Sequence, residues 1–306
     1  MKHRYSITIL FVVIWILLPA PGHSGSRTVI DQLGRDVVLS DNPVRIIALA
    51  PNITEIVFAL GQENRLIGVT KYSDFPPEAK QIPSVGSYID LDVEKIVSLK
   101  PDLCIATKDG NPREVVYSLD SLQIPTYTVD TRDLDSVMDT VFEIGRLLNV
   151  TEKAGELVEN MRSRIERVDS MVSKTDYRPR VFFQIGVSPI VSVGTNTYIH
   201  ELIVRAGGKN LAKGRVPYPR FSREQVLALS PEIFIITSMA REQVFEKVRA
   251  EWSRWSDLPA VRNNRIILVD SNILDRPTPR MVDGLELLVK VIHPELFISE
   301  ATEPNP

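Results

Sequence analysis

The chain has 306 residues, 43% of them hydrophobic and 25% charged, with a formal net charge of −3. That is enough apolar material for two modest cores, and the mildly acidic balance argues against a nucleic-acid binder, which carries a basic surface. A single cysteine, Cys104, and four histidines, His3, His23, His200 and His293, exclude an internal disulfide or iron–sulfur cluster and argue against a histidine-rich zinc or manganese site.

Residues 1–24 read as a leader. A basic head with Lys2 and Arg4 precedes an apolar run over 7–20, which is followed by small residues. The run is too short to cross a bilayer comfortably, so a cleaved secretory signal is expected rather than an uncleaved anchor. No cysteine lies near the cleavage region to carry a lipid, and a soluble protein of the periplasm is the expected product.

Residues 27–43 have the pattern of a hairpin turning near 32–34. The apolar run over 45–50 is a buried strand that leads into Pro51 and Asn52. Asn52 and Glu55 have capping-box spacing for a helix that ends at Gly61. A strand over 66–69 and the loop 72–77 follow. Then come a short helix, a proline turn and a buried strand across 92–107, a helix over 112–122, a strand over 126–130 and an amphipathic helix over 134–148. Together 44–150 make one α/β lobe.

The next stretch, 151–174, places Ala154, Leu157, Val158, Met161, Ile165, Val168 and Val172 on one helical face. Thr151 is expected to cap its amino end, with Glu152 in the first turn where the helix dipole favours an anion. An ordinary surface helix would show the same periodicity. A strut joining two lobes is the sharper reading, because related sequence lies on either side.

Residues 179–298 repeat the plan of the first lobe: a strand over 180–185, a loop over 186–197, helices over 198–206 and 243–254, a strand over 265–270 and a last helix over 281–291. The tail, 299–306, reads as loose. The stretch 92–107 matches 222–237 without a gap at an offset of 130, pairing Glu94 with Glu224, Pro101 with Pro231 and Thr107 with Thr237. Tyr88 and Tyr218 share that offset. The expected fold class is therefore α/β, two related lobes with parallel-rich sheets joined by one long bridging α-helix. Ligands of such sheets sit outside the carboxyl ends of the strands, which places the site in a cleft between the lobes.

No glycine-rich phosphate loop or Gly-x-Ser-x-Gly elbow is present, and His200 reads as a helix residue rather than a base. The cleft loops carry Tyr72, Phe75, Tyr88, Tyr218, Phe221, Asn272, Asp275, Arg276 and Arg280 instead. Aromatic faces with a few polar groups suit a binding pocket for a large flat ligand; any one tyrosine alone would be unremarkable packing. Glu94 and Glu224 each fit a helix start, where their charge is favourable. As an equivalent pair they also fit two anionic knobs for a partner with basic pockets. Both readings stay open.

The stretches Ala50-Pro-Asn-Ile-Thr-Glu-Ile-Val-Phe-Ala-Leu-Gly61, Tyr72-Ser-Asp-Phe-Pro-Pro77, Leu99-Lys-Pro-Asp-Leu103 and Arg215-Val-Pro-Tyr-Pro-Arg-Phe-Ser-Arg-Glu-Gln-Val-Leu227 resemble the substrate-binding proteins of cobalamin and iron-siderophore ABC importers. The resemblance spans roughly 45–291. It implies two α/β lobes bridged by a long helix, a mostly rigid cleft, and delivery of ligand to the permease/ATPase complex of an inner membrane. Tyr72 matches a corrin-contacting tyrosine, Tyr88 and Tyr218 fall where cobalamin-binding members have cleft tryptophans, and Arg276 matches a ligand-contacting arginine. Asn272 replaces a ligand-contacting aspartate, while Thr107 and Val191 replace a tryptophan and a phenylalanine. With Pro51 and Asn52 from the first cleft loop, these complete the expected ligand set. Glu94 and Glu224 match two glutamates that dock on permease arginines. The implied ligand is a corrinoid, with a ferric siderophore or haem as the alternative, since Arg215, Arg220, Arg276 and Arg280 could meet an anionic chelate. An exported enzyme or a ligand sensor on the same scaffold is the reading from another class. A monomer without a cofactor of its own is expected.

Overall fold

The computed structural model describes residues 25–237 and 243–298. The expected leader and tail lie outside the described residues. Strands β1 (Ser26–Ile30) and β2 (Asp36–Ser40) pair antiparallel as the expected hairpin. Then follow β3 (Ile46–Ala48), α1 (Pro51–Ala59), β4 (Leu66–Gly68), a small hairpin of β5 (Gly86–Ser87) and β6 (Asp90–Leu91), α2 (Val93–Leu99), β7 (Leu103–Thr107), α3 (Arg113–Ser121), β8 (Thr126–Val129) and α4 (Leu134–Leu147). The strands β4-β3-β7-β8 form one sheet, parallel throughout. Their short, almost wholly apolar sequences are what a sheet covered on both faces requires.

The start of α1 differs from the expected capping box. Ala50 holds the N-cap position without a side-chain bond, and Pro51 is the first helical residue. Proline is favourable there because its missing N–H would have no partner in any case. Asn52 and Glu55 are thereby released from capping, and both are buried.

Helix α5 (Thr151–Val172) is the strut. Ala154, Val158, Met161, Ile165, Val168 and Val172 are buried along it, and Leu157 is half-buried. Its amino end also departs from expectation, since Val150 occupies the N-cap and Thr151 is already helical. The cause is the tight turn out of α4. There Asn149 is left-handed (φ 58°), and the Val150 N–H bonds the Gly145 carbonyl at 2.8 Å, which starts the helix one residue early. A Cβ on Gly145 would lie 2.3 Å from that of Ala154, so α4 and α5 pack closely only because of that glycine.

Beyond α5 come β9 (Arg180–Gly186), β10 (Ile190–Ser192), α6 (Tyr198–Arg205), β11 (Lys209–Asn210), β12 (Arg220–Phe221), α7 (Arg223–Leu229), β13 (Ile233–Ile236), α8 (Gln243–Trp252), α9 (Pro259–Arg262), β14 (Ile266–Leu268), α10 (Ser271–Leu274), α11 (Met281–Ile292) and α12 (Glu295–Ile298). The sheet runs β12-β10-β9-β13-β14, with β11 beside the start of β9. Its centre is parallel, but β10 is antiparallel to both β9 and β12. The stretch expected as a plain loop over 186–197 therefore contributes a strand.

The sequence repeat is a structural repeat. Asp92 caps α2 through the Lys95 N–H (2.9 Å), and Ser222 caps α7 through the Gln225 N–H (3.2 Å). Each helix ends on a left-handed residue, Lys100 (φ 49°) or Ser230 (φ 46°), directly before a proline. Each then leads into a central strand, β7 or β13.

The second half grips α5 through ion pairs. Arg164 of α5 pairs with Asp283 (2.5 Å) and Glu286 (2.7 Å) of α11, and Asp169 pairs with Arg205 of α6 (2.7 Å). From α6, Glu201 Oε2 accepts the Leu134 N–H at the start of α4 (2.8 Å), an anion on the amino end of a helix in the opposite half.

Candidate functional site

The segments after β3, β4 and β14, the β5–β6 hairpin and the turn before β12 carry the expected cleft residues, except that Phe221 packs its ring on Phe182 in the core of the second half, 5.3 Å between centroids. The Tyr72 and Tyr88 rings meet edge-on, 6.5 Å between centroids and 67° between planes. Tyr88 sits in the β5–β6 hairpin, whose Gly86 has φ +97° and a Cβ position only 2.4 Å from the Asp90 carbonyl, so only glycine fits that turn. Asn111 holds the hairpin in place. Its Nδ2 donates to the carbonyls of Leu49 (2.7 Å) and Tyr88 (2.8 Å). Tyr218 lies just before β12, at the matching place in the second half, and is 44% exposed.

Between the halves runs a network of charges. Glu55, 4% exposed, accepts from Arg276 Nη1 (2.8 Å) and from Arg280 Nε and Nη2 (2.9 Å each). Arg276 also pairs with Asp74 (2.8 Å) and donates to the Tyr72 carbonyl (3.1 Å). Arg280 donates to the Asn272 carbonyl (3.2 Å) and stacks over Phe75, 3.5 Å from its ring centre. Burial works against the Arg276 charge, but the bonds to Glu55 and Asp74 outweigh it and hold its pKa above the ordinary value. Two arginines thus face two carboxylates, and the Lys71 ammonium stands over the Tyr72 ring, 5.8 Å from its centre.

Two carboxyl groups, those of Asp109 and Asp275, act on Tyr218. Burial first, then Asp109 and Asp275, raise the pKa of the Tyr218 phenol. Burial pushes the Asp275 carboxyl up to about 7, against the bond it accepts from the Thr237 hydroxyl (3.0 Å). Tyr198 beneath is buried and donates to the Leu274 carbonyl (3.1 Å).

Among the expected ligand residues, Pro51 and Asn52 open α1, Tyr72 and Tyr88 touch, and Arg276 joins Tyr72 through its carbonyl. Asn272 takes part through its backbone. Arg276 and Arg280 both pair with protein carboxylates. Glu94 and Glu224 stand apart, each exposed in the first turn of α2 or α7. The Glu224 pKa is lowered by its own backbone N–H and by Ser222. His200 Nδ1 bonds Asn210 Nδ2 (2.9 Å), and among the described residues no group of three or more potential metal ligands occurs.

The residues that sequence reasoning missed are Glu55, Asp74, Asp109 and Asn111. Glu55 left a trace: a carboxylate among Ile53, Ile56 and Val57 on a short helix must find a cation if it is buried.

Two halves built on one strut, with tyrosines and a neutralised charge network facing each other across the cleft, define a solute-binding protein. The chain belongs to the periplasmic binding protein family, whose model matches residues 46–273. It is 33% identical over 245 residues to a vitamin B12-binding protein of Vibrio cholerae, covering 79% of this chain and 86% of that one. The solved vitamin B12-binding protein of Vibrio cholerae superposes with a TM-score of 0.72 at 31% identity, covering 84% of this chain and 98% of the other. A periplasmic haem-binding protein of Pseudomonas aeruginosa gives a TM-score of 0.75 at 28% identity, with coverage of 82% and 93%. An uncharacterized ABC transporter substrate-binding lipoprotein of Bacillus subtilis is 29% identical over 277 residues, 88% of this chain and 86% of its own.

Proposed function

We propose that this chain is the soluble, monomeric periplasmic component of an ABC importer. It holds a corrinoid between its lobes, against Tyr72, Tyr88 and Tyr218, and delivers it to the permease/ATPase complex. The observation that carries the ligand class is the charge balance of the cleft. Arg276 and Arg280 are neutralised by Glu55 and Asp74, so this network suits a macrocycle rimmed with neutral amides. The similarity to a haem-binding protein supports a second reading, haem or a ferric siderophore, in which Arg215 and Arg220 would meet the anionic groups.

Mixing the purified protein with cyanocobalamin, haemin or a ferric siderophore and desalting separates these readings. Retention of the cyanocobalamin absorbance is the expected result, and retention of haemin alone would favour the second reading. Titration calorimetry should then find weaker corrinoid binding in both Tyr72→Ala and Tyr218→Ala, since aromatic stacking contributes roughly 0.5–1.5 kcal/mol beyond burial. Unchanged affinity in both variants would place the ligand elsewhere.

Docking on the permease is assigned to Glu94 and Glu224. Both are exposed and lie at equivalent helix starts, and such rim charges govern association more than they govern a distant pocket. The double variant Glu94→Ala/Glu224→Ala is expected to bind ligand normally and to fail in uptake, with each single variant partly impaired. Transport at the wild-type rate by the double variant would leave the two carboxylates as helix-start charges only.

A further inference from the structure

We infer that Lys71 is the cleft residue that meets an anionic arm of the bound ligand, and that on a corrinoid this arm is the phosphodiester of the nucleotide loop. The inference rests on the corrinoid reading. It adds the residue that tells a complete cobalamin from a corrinoid without its nucleotide.

Lys71 is exposed, between β4 and β5 and directly before Tyr72. Its backbone is fixed on both sides. The Lys71 N–H donates to the Gly86 carbonyl of the β5–β6 hairpin (2.7 Å), and the Ser73 N–H donates to the Thr70 carbonyl (3.0 Å). The hydroxyls of Thr70 and Ser73, both buried, bond one another beneath this turn (3.1 Å). The lysine stem therefore leaves from a held point, and its ammonium stands 5.8 Å from the centre of the Tyr72 ring. That is near the outer limit of a cation–π contact, so the ring engages the ammonium only weakly. The Tyr72 carbonyl accepts from Arg276 of the opposite half (3.1 Å), which puts Lys71 where the two halves meet.

The surrounding charges are already matched. Arg276 and Arg280 pair with Glu55, Arg276 also with Asp74, and Lys108 and Arg132 share Asp130. Among the described residues Lys71 pairs with no carboxylate. Arg215 and Arg220 are likewise exposed and without one, but they lie in the loop before β12 and in β12 itself, on the second half. Lys71 is the cation set against a ring that the ligand is proposed to cover.

A macrocycle stacked on Tyr72 brings its rim within reach of this ammonium. Lysine meets a phosphate as a compact point charge with three donors. The amides around a corrin ring are neutral, whereas the nucleotide arm of a cobalamin carries one phosphodiester. Loss of the Lys71 charge therefore acts on the arm and spares the ring.

The test compares cyanocobalamin with dicyanocobinamide, a corrinoid that lacks the nucleotide arm. Both are titrated at low and raised salt against the wild type, Lys71→Met, Lys71→Arg and the double variant Arg215→Gln/Arg220→Gln. Lys71→Met is expected to bind cyanocobalamin roughly three- to tenfold more weakly at low salt, with the gap to the wild type narrowing as salt is raised. It should bind dicyanocobinamide as the wild type does, and Lys71→Arg should restore most of the cyanocobalamin affinity. Equal losses for the two corrinoids in Lys71→Met, or no loss for either, overturn the inference and leave the corrinoid reading standing. So does a preference for cyanocobalamin that survives in Lys71→Met and is lost in Arg215→Gln/Arg220→Gln, which would seat the phosphodiester on the second half. A wild type that binds neither corrinoid overturns the corrinoid reading, and the inference falls with it.

Discussion

Replacing Glu55 with leucine is expected to destabilise the protein by about 3–5 kcal/mol, the usual result of removing one partner from a buried ion pair. Glu55 is almost wholly enclosed, and the side chains of Arg276 and Arg280 are only 15% and 20% exposed, so solvent would screen poorly the orphaned Arg280 and an Arg276 left with Asp74 alone. The loss arises from leaving Arg280 uncompensated, and Arg276 with one partner fewer, more than from losing a strong attraction. Accordingly, Glu55→Leu/Arg276→Met/Arg280→Met should recover most of the stability, because exchanging a whole buried cluster for apolar groups is often neutral. Denaturant midpoints of the two variants provide the comparison. A Glu55→Leu protein as stable as the wild type would show that the network does not join the halves. Corrinoid binding should fall in both variants, since Arg276 also fixes the Tyr72 carbonyl.

An effect of similar size is expected from Ile165→Pro in α5. Proline removes a helix hydrogen bond and clashes with the preceding turn, at a cost of about 3 kcal/mol or more. Ile165 is 5% exposed, and Arg164 beside it pairs with Asp283 and Glu286 of α11. A kink there would disturb packing on both sides at once. Thermal melting and ligand binding should decline together. A variant that melts lower yet binds normally would mean that α5 serves only one half.

What could be read directly from the sequence was whatever consecutive residues encode. The periodic burial of α5 and the gapless repeat around α2 and α7 depend on spacing alone, and both are present in the structure. Errors fell where pairing depends on the rest of the molecule. Thr151 looks like a cap in isolation, but the turn out of α4 makes Val150 the boundary. Strands β10 and β12 have only three and two residues, too few to show a period, and their antiparallel pairing is set by β9. The Glu55 network joins positions up to 225 residues apart, which no local pattern reveals. For the cleft, the residue types were legible; which of them are already engaged with one another was not. Arg276 illustrates the difference, expected to face the ligand and found holding Glu55, Asp74 and the Tyr72 carbonyl.

The apolar core around α5 has a consequence for how the chain comes apart. Buried side chains run without a break from Ile46 of β3 through Val141, Met161 and Val168 to Val181 of β9 and Leu285 of α11. Neither half completes this interior alone, because each needs the face of α5 to cover its own helices. The molecule should therefore unfold in a single cooperative transition, although its sequence carries an internal duplication. Severing it between Val172 and Arg180 would yield two fragments with exposed apolar flanks, prone to recombine with each other or to aggregate. Two lobes that share a repeated segment thus make one folding unit.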